Sequence, residues 1–133
     1  MIEAHFGESS QYSLGVEEEL MILDAETLEP AAGVGVLVRE ASELDLPGSL
    51  KTELHASVVE LNTNVCADVA EATAALRELR AAAVRIAGEN GLAIAAAGAH
   101  PTAVLESLPV VQEERYLQMI RSEERRVGKE CRL

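Results

Sequence analysis

The feature that most limits what this chain can fold into is a long alanine-rich helix in its second half. Asp68 stands three residues before Glu71, a capping-box arrangement in which Asp replaces the usual Ser or Thr. The run that follows, as far as Glu89, consists mainly of strong helix formers, and its apolar residues recur at helical spacing. Asn90 and Gly91 supply the left-handed residue that ends such a helix. The pattern predicts one amphipathic helix, whose apolar stripe other parts of the fold must cover.

The rest of the chain alternates short apolar stretches with turns. Apolar or β-branched stretches predict extended segments over 12–23, 50–65 and 92–97, and helical spacing predicts further helices over 34–44 and 113–120. Helices and three or four strands in mixed order predict the α+β class. A chain of 133 residues supports one domain with a modest core.

The net charge and the composition argue against several classes of partner and location. A formal net charge of −12 argues against nucleic acid or an anionic membrane, because both would repel the chain. No apolar run approaches the ~20 residues of a membrane span, and the start, MIEAHFGESS, lacks the segments of a secretory signal. Cys66 and Cys131 are the only cysteines and show no metal-ligand spacing. We therefore expect a cytoplasmic protein with free thiols.

Three consecutive glutamates interrupt the first predicted strand, although Glu is a poor strand former and like charges on a strand repel. Strand alternation places Glu17 and Glu19 on one face and Glu18 on the other. Two carboxylates in a shared pocket favour a divalent cation, and all-oxygen ligation favours Mg²⁺ or Mn²⁺ over zinc. An edge strand with solvent-exposed acids explains the same spacing, so the spacing alone leaves both interpretations open.

A second acidic pair, Glu53 and Glu60, lies in the extended segment 50–65. Glu60 stands within an apolar, β-branched run, a costly place for an unpaired charge. Because the two residues are seven positions apart, a regular strand would point them to opposite faces. They share a site only if a bulge or loop intervenes near His55 to Ser57.

The last 13 residues, RSEERRVGKECRL, differ in composition from the rest and hold five of the eleven Lys and Arg residues. A basic interaction tail is one interpretation. However, the string RSEERRVGKECR resembles one reading-frame translation of a common sequencing-library adapter. We therefore expect residues 121–133 to be non-native, as a cloning scar is, and the native sequence to end near Ile120.

Several short motifs follow one another in an order and spacing typical of one family. They are HFG at 5–7, LGVEEEL at 14–20, E-x6-ELNT at 53–63, the alanine-rich helix, GAHP at 98–101 and ERY at 114–116. Through them residues 5–120 resemble the amino-terminal region of the type 2 glutamate–cysteine ligase, or carboxylate-amine ligase, family. The resemblance implies that residues 1–120 are the amino-terminal part of a ligase catalytic domain.

The resemblance also implies a fold and a set of site residues. The fold would be a fragment of a glutamine-synthetase-like domain, in which an antiparallel sheet with helices on one side forms a funnel for ATP and several Mg²⁺ ions. Four carboxylates would bind metal: Glu17, Glu19, Glu53 and Glu60. Three residues are candidates for substrate binding: Thr63, His100 and Arg115. For His100 a structural turn, and for Arg115 a helix-surface ion pair, are alternative roles.

The implied reaction joins the γ-carboxylate of glutamate to an amine, cysteine in the best-known case, through an acyl phosphate formed with ATP. Mg²⁺ or Mn²⁺ would be the cofactor, and ATP, glutamate and the amine the partners, in a full-length protein that could be a homo-oligomer. We expect the present chain alone to be inactive, because it lacks the family's later contacts. The alternatives are a related ligase with another amine acceptor and a non-catalytic acidic module that binds metal or a partner.

Overall fold

The computed structural model describes residues 12–104 and 107–130 of the chain. Within these residues, seven elements follow one another: β1 (Glu17–Asp24), α1 (Val34–Ala41), β2 (Gly48–Thr52), β3 (Val58–Thr63), α2 (Val69–Glu89), β4 (Leu92–Ala95) and α3 (Glu114–Glu130). The four strands form one antiparallel sheet in the order β2-β3-β1-β4. The predicted α+β class is confirmed, with an antiparallel sheet and helices packed on it.

Strand β1 occupies an inner position of the sheet, with β3 on one side and β4 on the other. Its pairing with β3 runs from Glu17 opposite Asn62 to Met21 opposite Val58. The strand is shorter than the 12–23 segment predicted, because the residues before Glu17 leave the regular ladder. There, Leu14 makes an isolated bridge with Cys66, through backbone N–H···O distances of 2.9 and 2.7 Å.

Strands β2 and β3 form a hairpin where the sequence predicted one extended segment over 50–65. That prediction was wrong because no Gly or Pro marks the turn between the two strands. The register sets Leu50 opposite Leu61, and residues 53–57 make the connection. At the other end of the hairpin, a Cβ on Gly48 would lie 2.0 Å from the carbonyl oxygen of Asn62, so no larger residue fits without a shift.

Helix α2 forms as its sequence predicts, from Val69 to Glu89. Asp68 is extended and its side chain accepts a hydrogen bond from the N–H of Glu71 at 2.9 Å, while the Glu71 carboxylate accepts one from the N–H of Ala67 at 2.6 Å. Such a cap stabilises a helix by about 1 kcal/mol.

Helices α1 and α2 pack on the same face of the sheet and bury its apolar residues. Alternate residues of three strands supply the sheet side of the core: Leu20, Ile22, Leu50, Val59 and Leu61. Six residues of α1 and α2 meet them: Val34, Leu37, Ala41, Leu79, Ala83 and Ile86. Each fully buried Leu, Ile or Val contributes about 1.5–3 kcal/mol. We call the side of the sheet on which α1 and α2 pack the helix-covered face. Within the described residues, no helix is both long and apolar enough to cross a bilayer.

Candidate metal centre

The opposite face of the sheet carries Glu17, Glu19 and Glu60, and we call it the acidic face. Antiparallel pairing sets Glu19 directly opposite Glu60, and Glu17 directly opposite Asn62. Residues paired in this way project from the same face of a sheet, with Cβ atoms about 4.5–5.5 Å apart. The predicted alternation of β1 therefore places Glu17 and Glu19 on the face that also carries Glu60.

Glu53 reaches the same face from the connection between β2 and β3. Strand β2 ends at Thr52, so Glu53 is the first residue of the hairpin loop (residues 53–57), which we call the Glu53 loop. Glu53 and Glu60 are seven positions apart, and on one regular strand they would point to opposite faces. The chain reverses in this loop, so both residues reach the same face. One carboxylate oxygen from each of Glu19, Glu53 and Glu60 lies within 4.8 Å of the other two.

The geometry and chemistry of this group fit a hard divalent cation. Two oxygens bound to one Mg²⁺ lie no more than about 4.2 Å apart, since each Mg–O bond is about 2.1 Å. Small rotamer changes would therefore bring the three carboxylates around one ion. Glu17 is exposed and lies outside the group, one row along the sheet. The structure brings together three of the four predicted ligands, and metal binding by all four stays a prediction.

A lysine and a buried amide stand beside the carboxylates. Lys51 lies opposite Glu60 on β2, and its Nζ donates to Oδ1 of Asn62 at 2.9 Å. Nδ2 of Asn62 in turn donates to Oε1 of Glu60 at 2.6 Å, and Asn62 is only 8% exposed. These hydrogen bonds orient one oxygen of Glu60 and link its carboxylate, through Asn62, to the ammonium of Lys51.

Glu18 projects from the helix-covered side of β1 and has a different partner. Both of its oxygens accept hydrogen bonds from Arg80 of α2, one from Nε at 2.6 Å and one from Nη2. These hydrogen bonds, together with the charge of Glu18, raise the pKa of Arg80. The pair ties β1 to α2. No sequence pattern predicts a partner for Glu18, because Arg80 lies 62 positions further along the chain.

All three substrate-binding candidates make polar contacts within the chain. Oγ1 of Thr63 accepts a hydrogen bond from the N–H of Val16 at 3.0 Å, which holds the segment before β1. Nε2 of His100 lies 2.9 Å from the carbonyl oxygen of Leu28. Substrate binding by Thr63 and His100 stays a prediction.

A cavity of about 260 Å³ lies on the acidic side of β1, and His100 is part of its wall. His55, Ser57 and Met21 also line it. A smaller cavity of about 90 Å³, lined by Glu19 and Met21 among others, lies next to it. Nδ1 of His55 is buried, and it has no hydrogen-bond partner among the described residues.

The third candidate, Arg115, is held by its neighbours at the start of α3. Its Nε donates to Glu113 at 3.1 Å, and its Nη2 donates to the hydroxyl of Tyr116 at 2.6 Å and to Oγ1 of Thr52 at 3.2 Å. The guanidinium also lies 4.3 Å from the centre of the Tyr116 ring. The contact with Glu113 is an ion pair, which is the alternative role considered for Arg115. Substrate binding by Arg115 stays a prediction.

An antiparallel sheet with helices on one face and grouped carboxylates on the other defines an α+β protein with an acidic site. The sequence model of the glutamate–cysteine ligase family 2 (GCS2) matches residues 13–131, and the chain belongs to that family. The resemblance found from the motifs is thereby confirmed. The matched range runs past Ile120, and the non-native origin of residues 121–133 stays a prediction.

Individual relatives agree with the family. The chain is 44% identical over 112 residues to the "Glutamate--cysteine ligase" of Halobacterium salinarum, covering 84% of this chain and 30% of that protein. It is 38% identical over 109 residues to the "Putative glutamate--cysteine ligase 2" of Herpetosiphon aurantiacus, covering 82% of this chain and 28% of that protein. The chain thus spans under a third of the length of these relatives.

Proposed function

We propose that the family-length protein containing this sequence joins the γ-carboxylate of glutamate to an amine, with cysteine as the first choice. Membership of the family supports the carboxylate-amine ligase class, and the names of the relatives support glutamate and cysteine as substrates. The observation that carries the proposal is the grouping of Glu19, Glu53 and Glu60 on one face. We place the protein in the cytoplasm, where ATP and both amino acids occur.

The proposed reaction has two steps that balance. The γ-phosphoryl group of ATP passes to an oxygen of the glutamate γ-carboxylate, which releases ADP. The amine nitrogen then attacks the acyl carbon, phosphate leaves, and the nitrogen loses a proton to form the amide. Both steps bring anions together, so charge must be neutralised at the site.

The residues of the acidic face would hold the cation. Glu19, Glu53 and Glu60 would bind Mg²⁺ or Mn²⁺, and Glu17 would add a carboxylate one row away. A bound Mg²⁺ supplies the positive charge that lets the triphosphate and the substrate carboxylate approach each other. Lys51 and Asn62 orient Glu60, and the helix-covered face gives the strands a rigid support.

Metal binding is tested on the 133-residue chain with Mn²⁺, whose free concentration is followed by electron paramagnetic resonance. We expect Glu19→Gln to weaken Mn²⁺ binding by at least about tenfold, because a charged ligand is lost. Glu18→Gln is the matched control, since it removes the neighbouring charge on the helix-covered face and should leave Mn²⁺ affinity unchanged. Absence of binding by the unaltered chain, or an equal loss in both variants, would refute the metal centre.

Activity is tested with a family-length version of the protein. Phosphate release from ATP should require both glutamate and cysteine and should disappear in Glu19→Gln. The 133-residue chain alone should release none. Replacing cysteine by other amines identifies the acceptor, and a family-length protein that binds Mn²⁺ without releasing phosphate with any amine would favour the non-catalytic metal-binding module.

A further inference from the structure

Glu53 differs from the other two grouped glutamates because no strand holds it. Glu19 and Glu60 are fixed by ladder hydrogen bonds on β1 and β3, whereas Glu53 begins a loop. A ligand on a free loop would sample many positions, and metal ligands act only when they are held close to the required geometry. Some other part of the chain must therefore fix the Glu53 loop.

A segment more than fifty residues later runs along this loop. The N–H of Ala56 donates to the carbonyl of Pro109 at 2.8 Å, and the N–H of Val111 donates to the carbonyl of Leu54 at 2.9 Å. Between these two bonds, His55 forms an isolated bridge with Val110. The loop thus gains a short antiparallel partner outside the four-stranded sheet.

The start of α3 holds the residue immediately before Glu53. The hydroxyl of Tyr116 donates to the carbonyl of Thr52 at 2.7 Å and accepts from Nη2 of Arg115 at 2.6 Å. Oγ1 of Thr52 donates to the carboxylate of Glu113 at 2.7 Å. Tyr116 is 4% exposed, so its ring cannot leave without opening the packing around it.

We propose that residues 109–116 form a brace that positions Glu53, with Tyr116 as its central positioning residue. The inference rests on the proposed metal centre and adds a second layer of residues to it. It gives the ERY motif at 114–116 a structural role, because Arg115 and Tyr116 both contact Thr52. Supporting residues of this kind commonly change metal affinity by about 10- to 100-fold when they are replaced.

The first test compares Tyr116→Phe with the unaltered 133-residue chain. The variant keeps the ring and loses only the hydroxyl. We expect faster hydrogen exchange of the Ala56 and Val111 amides and Mn²⁺ binding weaker by about tenfold or more, with the exchange of α2 unchanged. A residue that served only global stability would instead accelerate exchange in all elements alike.

A second variant keeps the proposal testable if Tyr116→Phe does not fold. Thr52→Val removes the hydroxyl that contacts Glu113 and Arg115, and Thr73→Val is its matched control. Oγ1 of Thr73 donates to the carbonyl of Val69 on the exposed side of α2. Thr52→Val should weaken Mn²⁺ binding, and Thr73→Val should not.

The outcomes separate the brace from the metal centre. If the unaltered chain binds no Mn²⁺, the metal centre is refuted and the positioning role falls with it. If the unaltered chain binds Mn²⁺ and the folded Tyr116→Phe and Thr52→Val variants bind it equally well, only the brace is refuted. Unchanged exchange of Ala56 and Val111 in Tyr116→Phe also refutes the brace.

Discussion

The two faces of the sheet use the same strands for opposite purposes. On β1, Leu20 and Ile22 point into the helices and are almost completely buried, whereas Glu17 and Glu19 point away and are exposed. On the helix-covered face, the apolar side chains pack against α1 and α2, and the charge of Glu18 is paired with Arg80. The acidic face collects like charges, which destabilise neighbouring strands unless something compensates them.

The two faces differ in the ion-pair partners of their glutamates. Glu18, at the edge of the helix-covered face, has both oxygens bound by Arg80. On the acidic face, none of the ion pairs among the described residues includes Glu19, Glu53 or Glu60. The two faces therefore differ in how their carboxylate charge is balanced, because Arg80 contacts Glu18 directly, whereas Lys51 reaches Glu60 only through Asn62.

Truncating neighbouring residues of β1 should separate the two faces most strongly. We expect Ile22→Ala to lower the free energy of unfolding by about 3 kcal/mol, because it opens a cavity in a fully buried core. Met21→Ala, on the acidic side and half-buried beside a cavity, should cost about 1 kcal/mol. Urea unfolding in the presence of a chelator measures both values. Equal costs would show that the acidic side is packed as tightly as the core.

Neutralising neighbouring glutamates should change stability in opposite directions. Glu19→Gln should raise the free energy of unfolding of the metal-free chain by about 0.5 kcal/mol, because it removes repulsion from Glu60. Glu18→Gln should lower it, because the ion pair with Arg80 is lost. Both effects should shrink in concentrated salt, which screens exposed charges. Destabilisation by Glu19→Gln would mean that the acidic face is compensated within the chain.

The smallest expected effect concerns the brace at alkaline pH. Burial, and to a lesser extent the charge of Glu53, raise the pKa of Tyr116 above its ordinary value of 10.0, while the hydrogen bond to Thr52 opposes the shift. A raised folded-state pKa means that the contribution of the neutral phenol is complete below the unfolded pKa and is lost as the pH rises through the folded pKa. The stability difference between the unaltered chain and Tyr116→Phe should therefore shrink above about pH 10. A difference that stays constant to about pH 11 would contradict this assignment.

Local rules predicted much of the fold. The capping box at Asp68 and the apolar stripe predicted α2 almost to the residue, since both signals depend on near neighbours in sequence. The period of two in β1 predicted which glutamates share a face. Family motifs predicted Glu53 as a site residue, but spacing alone argued against it.

What the sequence could not reveal depends on contacts between distant residues. The hairpin that brings Glu53 beside Glu60 lacks a turn signal, and the loop it creates is held by residues 109–116. The pairing of Glu18 with Arg80 joins positions 62 residues apart. None of these contacts leaves a periodic pattern, because each depends on how complete elements pack.

The pairing of β1 with β3 also limits how the length of the chain can vary. Side chains on a strand alternate with a period of two, so a single inserted or deleted residue exchanges the two faces of everything beyond it. A one-residue change between Val16 and Leu20 would bring Glu19 toward the helices and turn a leucine to the site. A change of two residues preserves both faces. A variant that is one residue longer here keeps this sheet only if a β-bulge takes up the extra residue.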